Sequence, residues 1–78
     1  MNIVIYSKSN CPACTAAKRL LDDKGIGYEE RSMDNPDEWQ RFIATHQGIR
    51  QMPQCFISGQ RVGGLAGLQQ ALKELGLL

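Results

Sequence analysis

Residues 2–14 read NIVIYSKSNCPAC, so an apolar run passes directly into a Cys-Pro-Ala-Cys motif. The run from Asn2 to Tyr6 is rich in β-branched residues, which is typical of a buried strand. From Ala16 to Lys24, apolar positions recur at helical spacing. The sequence therefore predicts that the motif at residues 11–14 lies on a turn between a strand and a helix, where it forms a redox active site.

Cys11 lies at the start of the predicted helix. Proline is favoured at the first helical position, so Pro12 makes Cys11 the N-cap residue, with its sulfur facing the unpaired amides of Ala13 and Cys14. Those amides and the helix dipole favour a thiolate, and we expect the pKa of Cys11 to lie below the value of about 8.5 for a free thiol. Cys11 is therefore the predicted nucleophile.

Cys14 follows Cys11 by one helical turn, which is close enough for a disulfide without backbone rearrangement. It is the predicted resolving thiol, because it can release a mixed disulfide from Cys11 and leave an internal disulfide that an external reductant reopens. Lys8 stands just upstream, where we expect it to add a cation near the thiolate. The alternative for Lys8 is an ordinary solvated lysine in a loop.

Length and composition limit the possible functions. The 78 residues suffice for one small domain. Nine basic and eight acidic residues give a net charge of +1 without a basic cluster, which disfavours nucleic-acid binding. No apolar run approaches the roughly 20 residues of a membrane span. The first residues do not resemble an export signal, so we expect the cytoplasm, where paired thiols are usually catalytic.

The remaining segments predict an α/β chain with the order β-α-β-α-β-β-α. The first helix, of about a dozen residues, ends at Gly25. A second helix begins at the cap Asn35 and ends before Gly48. Besides the first strand, the predicted strands are Tyr28–Ser32, Cys55–Ile57 and Gln60–Val62, the last two joined as a hairpin.

Several other side chains are expected to have structural roles. The face of the first helix that carries Cys14 is predicted to be buried. Trp39 is interpreted as a core residue, Cys55 as a small buried hydrophobe and His46 as a partner of the C-terminus of the second helix. The closing helix presents one apolar face, formed by Leu65, Leu68, Leu72 and Leu75.

Four segments match a known family: IYSK at residues 5–8, AK at 17–18, MPQCFI at 52–57 and RVGG at 61–64. Together with the motif and the order of elements, they make the chain resemble a glutaredoxin over almost its whole length. The resemblance implies the thioredoxin fold in its minimal form, a four-stranded mixed sheet flanked by three helices. It also implies a single domain over residues 1–78.

The resemblance further implies a site that combines the motif, a proline loop and a double glycine. A cis Met52-Pro53 bond would turn the backbone of Met52 outward beside Cys11 to bind a peptide or glutathione. Gly63 and Gly64 would let backbone approach that ligand, and amides at the start of the last helix would hold a carboxylate. The other binding residues that the resemblance implies are Tyr6, Lys8, Gln51, Leu65, Ala66 and, as a contact for the glycine carboxylate of glutathione, Gln40.

The chain departs from the family pattern at three places. Leu65, Ala66 and Gly67 stand where many glutaredoxins carry acidic residues that meet the amino end of glutathione. Ala13 replaces a bulkier, often aromatic residue, which removes apolar surface beside Cys11. Gln51-Met52 stands where Thr-Val is frequent. The missing acidic pair favours direct reduction by thioredoxin reductase as an alternative to reduction by glutathione.

The function implied by the resemblance is reduction of protein disulfides or glutathione mixed disulfides. Glutathione is the expected co-substrate, with glutathione reductase acting indirectly, and neither a tightly bound cofactor nor a metal is expected. Ribonucleotide reductase is an electron acceptor by family analogy. The chain is expected to be a monomer.

A metal-binding module is the competing class of function. Cys11, Cys14, Cys55 and His46 supply the atom types of a tetrahedral zinc site. However, a buried strand cysteine and a histidine at a helix end need not converge, and Pro12 stiffens the motif. Iron–sulfur assembly between two chains with glutathione is a related alternative.

Overall fold

The structure is a computed structural model that describes all 78 residues, and it confirms the predicted order of elements. The strands are β1 Ile3–Ser7, β2 Glu29–Ser32, β3 Gln54–Ile57 and β4 Gln60–Gly63. The helices are α1 Pro12–Asp23, α2 Pro36–Thr45 and α3 Leu65–Glu74. Most boundaries agree with the predicted ones to within one residue, and α1 begins at Pro12, as predicted.

The four strands form one mixed sheet in the order β2-β1-β3-β4. β1 pairs parallel with β2 and antiparallel with β3, and β3 pairs antiparallel with β4. The crossover through α1 makes the first pairing parallel, as a helix between two neighbouring strands does. The C-terminal end of central β1 therefore delivers the chain directly to the cysteine motif.

The main core lies between the sheet and the helices α1 and α3. Its buried residues are Ile3, Ile5, Ala17, Leu21, Cys55, Leu68 and Leu72. Leu75 was expected to share this face, but that prediction is wrong, because α3 ends at Glu74 and Leu75 is 52% exposed. The apolar spacing continues past the end of the helix.

A smaller core lies on the opposite face of the sheet, beneath α2. Successive side chains of a strand point to opposite faces, so Tyr6 packs here while Ile5 packs against α1 and α3. Phe42 is buried in this core, and its ring centroid lies 4.6 Å from that of Tyr6. Trp39 is only half-buried at its margin, so its interpretation as a core residue is only partly right.

Caps fix the ends of α2. The Asn35 carboxamide oxygen accepts hydrogen bonds from the amides of Asp37 and Glu38 at 2.9 and 3.1 Å, and Pro36 occupies the first turn. His46 is the C-cap residue, with Nδ1 3.1 Å from the Phe42 carbonyl oxygen, which confirms its predicted position at the helix end.

None of the three helices has the length and apolar character needed to span a bilayer.

Candidate active site

Cys11 is the N-cap residue of α1, as predicted. Its backbone is extended (φ −118°, ψ 99°), and Pro12 begins the helix. The Cys14 amide donates a hydrogen bond to Cys11 Sγ, with nitrogen and sulfur 3.1 Å apart. The first amides of a helix have no partner within it, so this sulfur satisfies one of them. The contact places a donor and the positive end of the helix dipole at the sulfur.

The two cysteines of the motif are joined as a disulfide, with their Cα atoms 5.2 Å apart. They differ in exposure. Cys14 is 1% exposed on the buried face of α1, whereas Cys11 is half-buried and reaches the surface. Of the pair, Cys11 is therefore the sulfur that an external disulfide can approach. Ala13 between them is half-buried and adds only a methyl group to this surface.

The proline loop lies against Cys11. The Met52-Pro53 peptide bond is cis, as the resemblance implied. The Met52 carbonyl oxygen lies 3.5 Å from Cys11 Sγ, and Pro53 is buried. Gln51 is exposed, and its carbonyl oxygen accepts a hydrogen bond of 2.9 Å from the Gln54 carboxamide. This loop therefore presents backbone polar groups next to the sulfur.

Gln54 is a supporting residue that the sequence did not reveal. Its side chain is 8% exposed, and its carboxamide oxygen accepts a hydrogen bond of 3.3 Å from Arg61 on β4. With its other bond to Gln51, Gln54 links the proline loop to the outer strand. A lone glutamine at the start of a short apolar strand carries no signal for this role.

The double glycine approaches the proline loop. Gly63 has φ +106°, a conformation that favours glycine, and Gly64 is the N-cap residue of α3. A Cβ on Gly64 would lie 3.5 Å from the Pro53 carbonyl oxygen. The first amides of α3 follow at half-buried Leu65 and exposed Ala66, where a bound carboxylate can meet them.

Gly67 has a structural role that the sequence did not reveal. It lies in the first turn of α3, and a Cβ at this position would overlap the Val62 carbonyl group. Only a residue without a side chain lets α3 approach β4 this closely. A glycine within the leucine pattern of the helix was the available signal.

Lys8 lies against α2 in this structure. Its ammonium nitrogen lies 3.8 Å from the centroid of the Trp39 ring, a cation–π arrangement, and it makes no hydrogen bond to either motif sulfur. The chain therefore directs this cation toward α2 in the disulfide form. Lys8 is half-buried rather than fully solvated.

Two other predicted site residues lie apart from the motif. The Tyr6 hydroxyl accepts a hydrogen bond of 2.9 Å from Arg31, and its ring lines a cavity of about 490 Å³ beneath α2. Gln40 is exposed beside a second cavity that includes Arg50. A third cavity lies beside α1, next to Lys18 and Tyr28. Neither Cys11 nor Cys14 lines any of the three cavities. The motif is thus a surface site without a deep pocket.

The proposed zinc ligands do not form a set. No group of three or more His, Cys, Asp or Glu side chains is arranged to hold a metal ion. Cys55 is fully buried in β3, and burial raises its pKa to about 11. Cys55 is a buried hydrophobe, as interpreted from the sequence, and the four side chains are not gathered around one point in this structure.

The sequence profile described as Glutaredoxin matches residues 3–62. The chain belongs to the glutaredoxin family. Glutaredoxin 1 of Rickettsia conorii is 39% identical over 74 residues, which make up 92% of this chain and 72% of that relative. This membership makes the chain a thiol-disulfide oxidoreductase.

Solved glutaredoxin structures share the fold. A buckwheat glutaredoxin–glutathione complex matches with a TM-score of 0.78 and 28% identity, covering 96% of this glutaredoxin and 71% of that chain. NrdH-redoxin from Escherichia coli, described as a glutaredoxin-like protein with a thioredoxin-like activity profile, matches with a TM-score of 0.73 and 26% identity. That match covers 90% of this glutaredoxin and 93% of the other chain.

Proposed function

We propose that this glutaredoxin reduces protein disulfides and glutathione mixed disulfides, with Cys11 as nucleophile, Cys14 as resolving thiol and glutathione as reductant. The single observation that carries the proposal is the hydrogen bond from the Cys14 amide to Cys11 Sγ, at a helix N-terminus, on the more exposed of the two sulfurs. Such surroundings favour the thiolate that disulfide exchange requires.

The reaction has two exchange steps. The Cys11 thiolate attacks one sulfur of the substrate disulfide, forming a mixed disulfide and expelling the other substrate sulfur as a thiolate. Cys14 loses its proton and attacks Cys11 Sγ, which forms the internal disulfide and expels the second substrate thiolate. The substrate gains two electrons, and the two cysteines lose them.

Glutathione then restores the dithiol. A glutathione thiolate attacks Cys11 Sγ and releases Cys14, and a second glutathione attacks the resulting mixed disulfide to give oxidised glutathione. A low pKa increases the fraction of Cys11 that is thiolate, which assists the attack on the substrate disulfide. It also makes Cys11 a better leaving group, which assists the reduction by glutathione. Glutathione reductase would regenerate glutathione indirectly.

We place glutathione along the surface between the proline loop and α3. The Met52 backbone, adjacent to Cys11 Sγ, is suited to pair with the cysteinyl part of the tripeptide. Pro53, Gly63 and Gly64 shape the surface, and the amides of Leu65 and Ala66 are suited to a carboxylate. The buckwheat glutaredoxin–glutathione complex supports this ligand class.

Lys8, Gln40, Gln51 and Tyr6 complete the proposed binding set, with Gln40 assigned to the glycine carboxylate. Lys8 would have to leave the Trp39 ring to reach the thiolate or a bound ligand. Tyr6 would act through the aromatic cluster beneath α2, on which it packs.

The wider setting of the reaction is also proposed. Residues 1–78 act as one domain and as a monomer in the cytoplasm, on protein disulfides such as that of ribonucleotide reductase. Composition and the cysteine motif support these assignments.

Direct reduction by thioredoxin reductase is the second candidate for the electron donor. Leu65 and Ala66 offer no carboxylate to the glutathione amine, which weakens the case for glutathione. The fold match to NrdH-redoxin, with its thioredoxin-like activity profile, supports the same donor.

A coupled assay separates the donors. NADPH consumption with a disulfide substrate is measured with glutathione plus glutathione reductase, and separately with thioredoxin reductase. We expect turnover in the glutathione arm; turnover only in the other arm selects the second candidate. Cys11→Ser should abolish turnover in both arms, and undiminished activity of this variant would refute Cys11 as nucleophile. An absorption spectrum of anaerobically purified protein tests the iron–sulfur alternative.

A further inference from the structure

The loop that enters the motif is fastened to a distant connection. The Ser9 amide donates a hydrogen bond of 2.9 Å to one carboxylate oxygen of Asp34, and the Ser9 hydroxyl donates one of 2.5 Å to the other oxygen. Asp34 follows β2 and precedes α2, 25 positions further along the chain. The Asp34 amide in turn donates to the Ser32 hydroxyl at 3.3 Å. One carboxylate thus holds both polar groups of Ser9.

The ladder of the two parallel strands leads up to this pair. Ser7 and Ser32 are the last paired residues of β1 and β2. The Met33 amide continues the pairing by donating to the Ser7 carbonyl oxygen at 2.7 Å. The Ser9–Asp34 bonds extend the connection by two residues beyond the sheet, up to the last turn before Cys11.

Asn10 separates this anchor from the nucleophile. Its φ of +56° lies in the left-handed region, which asparagine tolerates better than most residues that carry a side chain. Asparagine also adopts the right-handed and extended regions, so the bonds on either side of Asn10 help to select this conformation. Ser9 is fixed on one side of Asn10 and helix α1 on the other, so the direction in which Cys11 enters the helix depends on both.

We infer that Asp34 is a positioning residue for Cys11: its carboxylate holds Ser9, and thereby the conformation of Asn10 that brings Cys11 Sγ to the Cys14 amide. The inference rests on the proposed function in taking Cys11 as the nucleophile. Asp34 does not touch the sulfur in this arrangement. It acts through the loop of residues 8–10, whose other anchor is Lys8 on the Trp39 ring.

Positioning and direct electrostatics predict opposite effects of neutralising Asp34. A carboxylate that acted only through its charge would disfavour the Cys11 thiolate, so its removal would lower the Cys11 pKa. Loss of a positioning bond would instead weaken the contact between sulfur and amide and raise that pKa. Lys8 is the charged side chain on the same loop, and it opposes the charge of Asp34.

Three variants test the inference: Asp34→Ala, Asp34→Asn and Ser9→Ala. The rate of iodoacetamide alkylation of Cys11 is measured against pH in the reduced protein. We expect Asp34→Ala to raise the midpoint of the alkylation profile by about half a pH unit, which slows alkylation at pH 7 by at most about threefold. Asp34→Asn keeps an acceptor for the Ser9 amide and supplies a donor to its hydroxyl, so its midpoint should stay close to that of the wild type.

Ser9→Ala removes only the hydroxyl bond and should fall between these two. Asp37→Ala is the matched control, because Asp37 is exposed and only its backbone amide makes a hydrogen bond to Asn35. Circular dichroism establishes that each variant is folded, and if Asp34→Ala is not, Ser9→Ala and Asp34→Asn carry the test. An unchanged pH profile or faster alkylation in Asp34→Ala overturns the inference, and so does an unchanged profile in Ser9→Ala where Asp34→Ala is not folded.

The alkylation rate reports on Cys11 whatever substrate or electron donor the protein uses. If the wild-type protein shows no turnover with glutathione, the proposed electron donor is wrong, but the role of Asp34 is not affected. If Asp34→Ala leaves the pH profile of Cys11 unchanged, the role of Asp34 is wrong, but the proposed donor is not affected.

Discussion

Cys14 donates its backbone amide to Cys11 Sγ across 3.1 Å while its own sulfur is buried beneath the helix. In the proposed mechanism the same residue therefore stabilises its partner through the main chain and attacks it through the side chain. Both roles follow from a separation of one helical turn, with the first cysteine as the cap and the second on the inner face.

In the reduced protein, one thiol should react with iodoacetamide much faster than the other two. Cys11 is half-buried, whereas Cys14 is 1% and Cys55 0% exposed, so iodoacetamide should modify Cys11 first, with a midpoint below the value of about 8.5 for a free thiol. Peptide mass mapping after short exposure identifies the site. Unfolding in guanidinium should make all three thiols reactive, and initial modification at Cys14 would contradict the assignment.

Replacing the resolving thiol should trap an intermediate. Cys14→Ser leaves Cys11 able to attack a protein disulfide but removes the group that releases the product, so a nearly stoichiometric mixed disulfide should accumulate in the absence of glutathione. Non-reducing electrophoresis and intact mass detect it. Cys55→Ala is the control, because Cys55 is buried in β3 and has no place in the cycle. Accumulation of the same adduct in that variant would argue against Cys14.

Gly67→Ala should destabilise the fold although alanine is the better helix former. The new Cβ would overlap the Val62 carbonyl group, and forced displacement of this kind costs about 1–3 kcal/mol. Exchange of glycine for alanine inside a helix would otherwise gain up to about 1 kcal/mol. Urea unfolding measures whether the free energy of unfolding falls or rises. Gly27→Ala is the matched control, since a Cβ there meets nothing within 4 Å; equal stability of the two variants would contradict the close approach.

Stability should fall in acid partly through Glu30. Its carboxylate accepts hydrogen bonds from Lys18 at 2.8 Å and from Ser7 at 2.6 Å, and these bonds hold its pKa below the usual 4.5. A lowered folded-state pKa gives stability that is present above about 4.5 and lost as pH falls through the lower value.

The measurement is the urea midpoint at pH 7 and in steps below pH 4.5. Glu30→Gln should reduce the acid-dependent loss by less than about 1 kcal/mol, because the ion pair is partly exposed and screened by solvent. Asp23→Asn is the control, since Asp23 is exposed and forms no ion pair. If Glu30→Gln lost more stability in acid than the wild type does, the predicted contribution of Glu30 would be contradicted.

Local signals in the sequence predicted the elements and the N-cap position of Cys11. The apolar run of β1, the prolines at positions 12 and 36 and the cap Asn35 each act within a few residues, so their effects can be read in order. Periodicity failed at Leu75, because spacing alone does not show where a helix ends. The cis Met52-Pro53 bond was predicted only from the family resemblance, since few such bonds are cis.

Contacts between distant segments could not be predicted from the sequence. Asp34 meets Ser9 across 25 positions, and Lys8 meets Trp39 from another element. Nothing in the local composition distinguishes these polar residues from solvated ones. The overlap that forbids a side chain at Gly67 likewise depends on the path of β4, which no helical pattern reveals.

The outermost strands affect how crowded copies of the protein behave. Every residue of β2 is exposed, and three of them, Glu29, Glu30 and Arg31, are charged; β4 at the opposite border begins with Gln60 and Arg61, both exposed. A neighbouring molecule that extended the sheet would have to strip water from these charges. These charges therefore disfavour the edge-to-edge pairing of strands that leads to fibrillar aggregation.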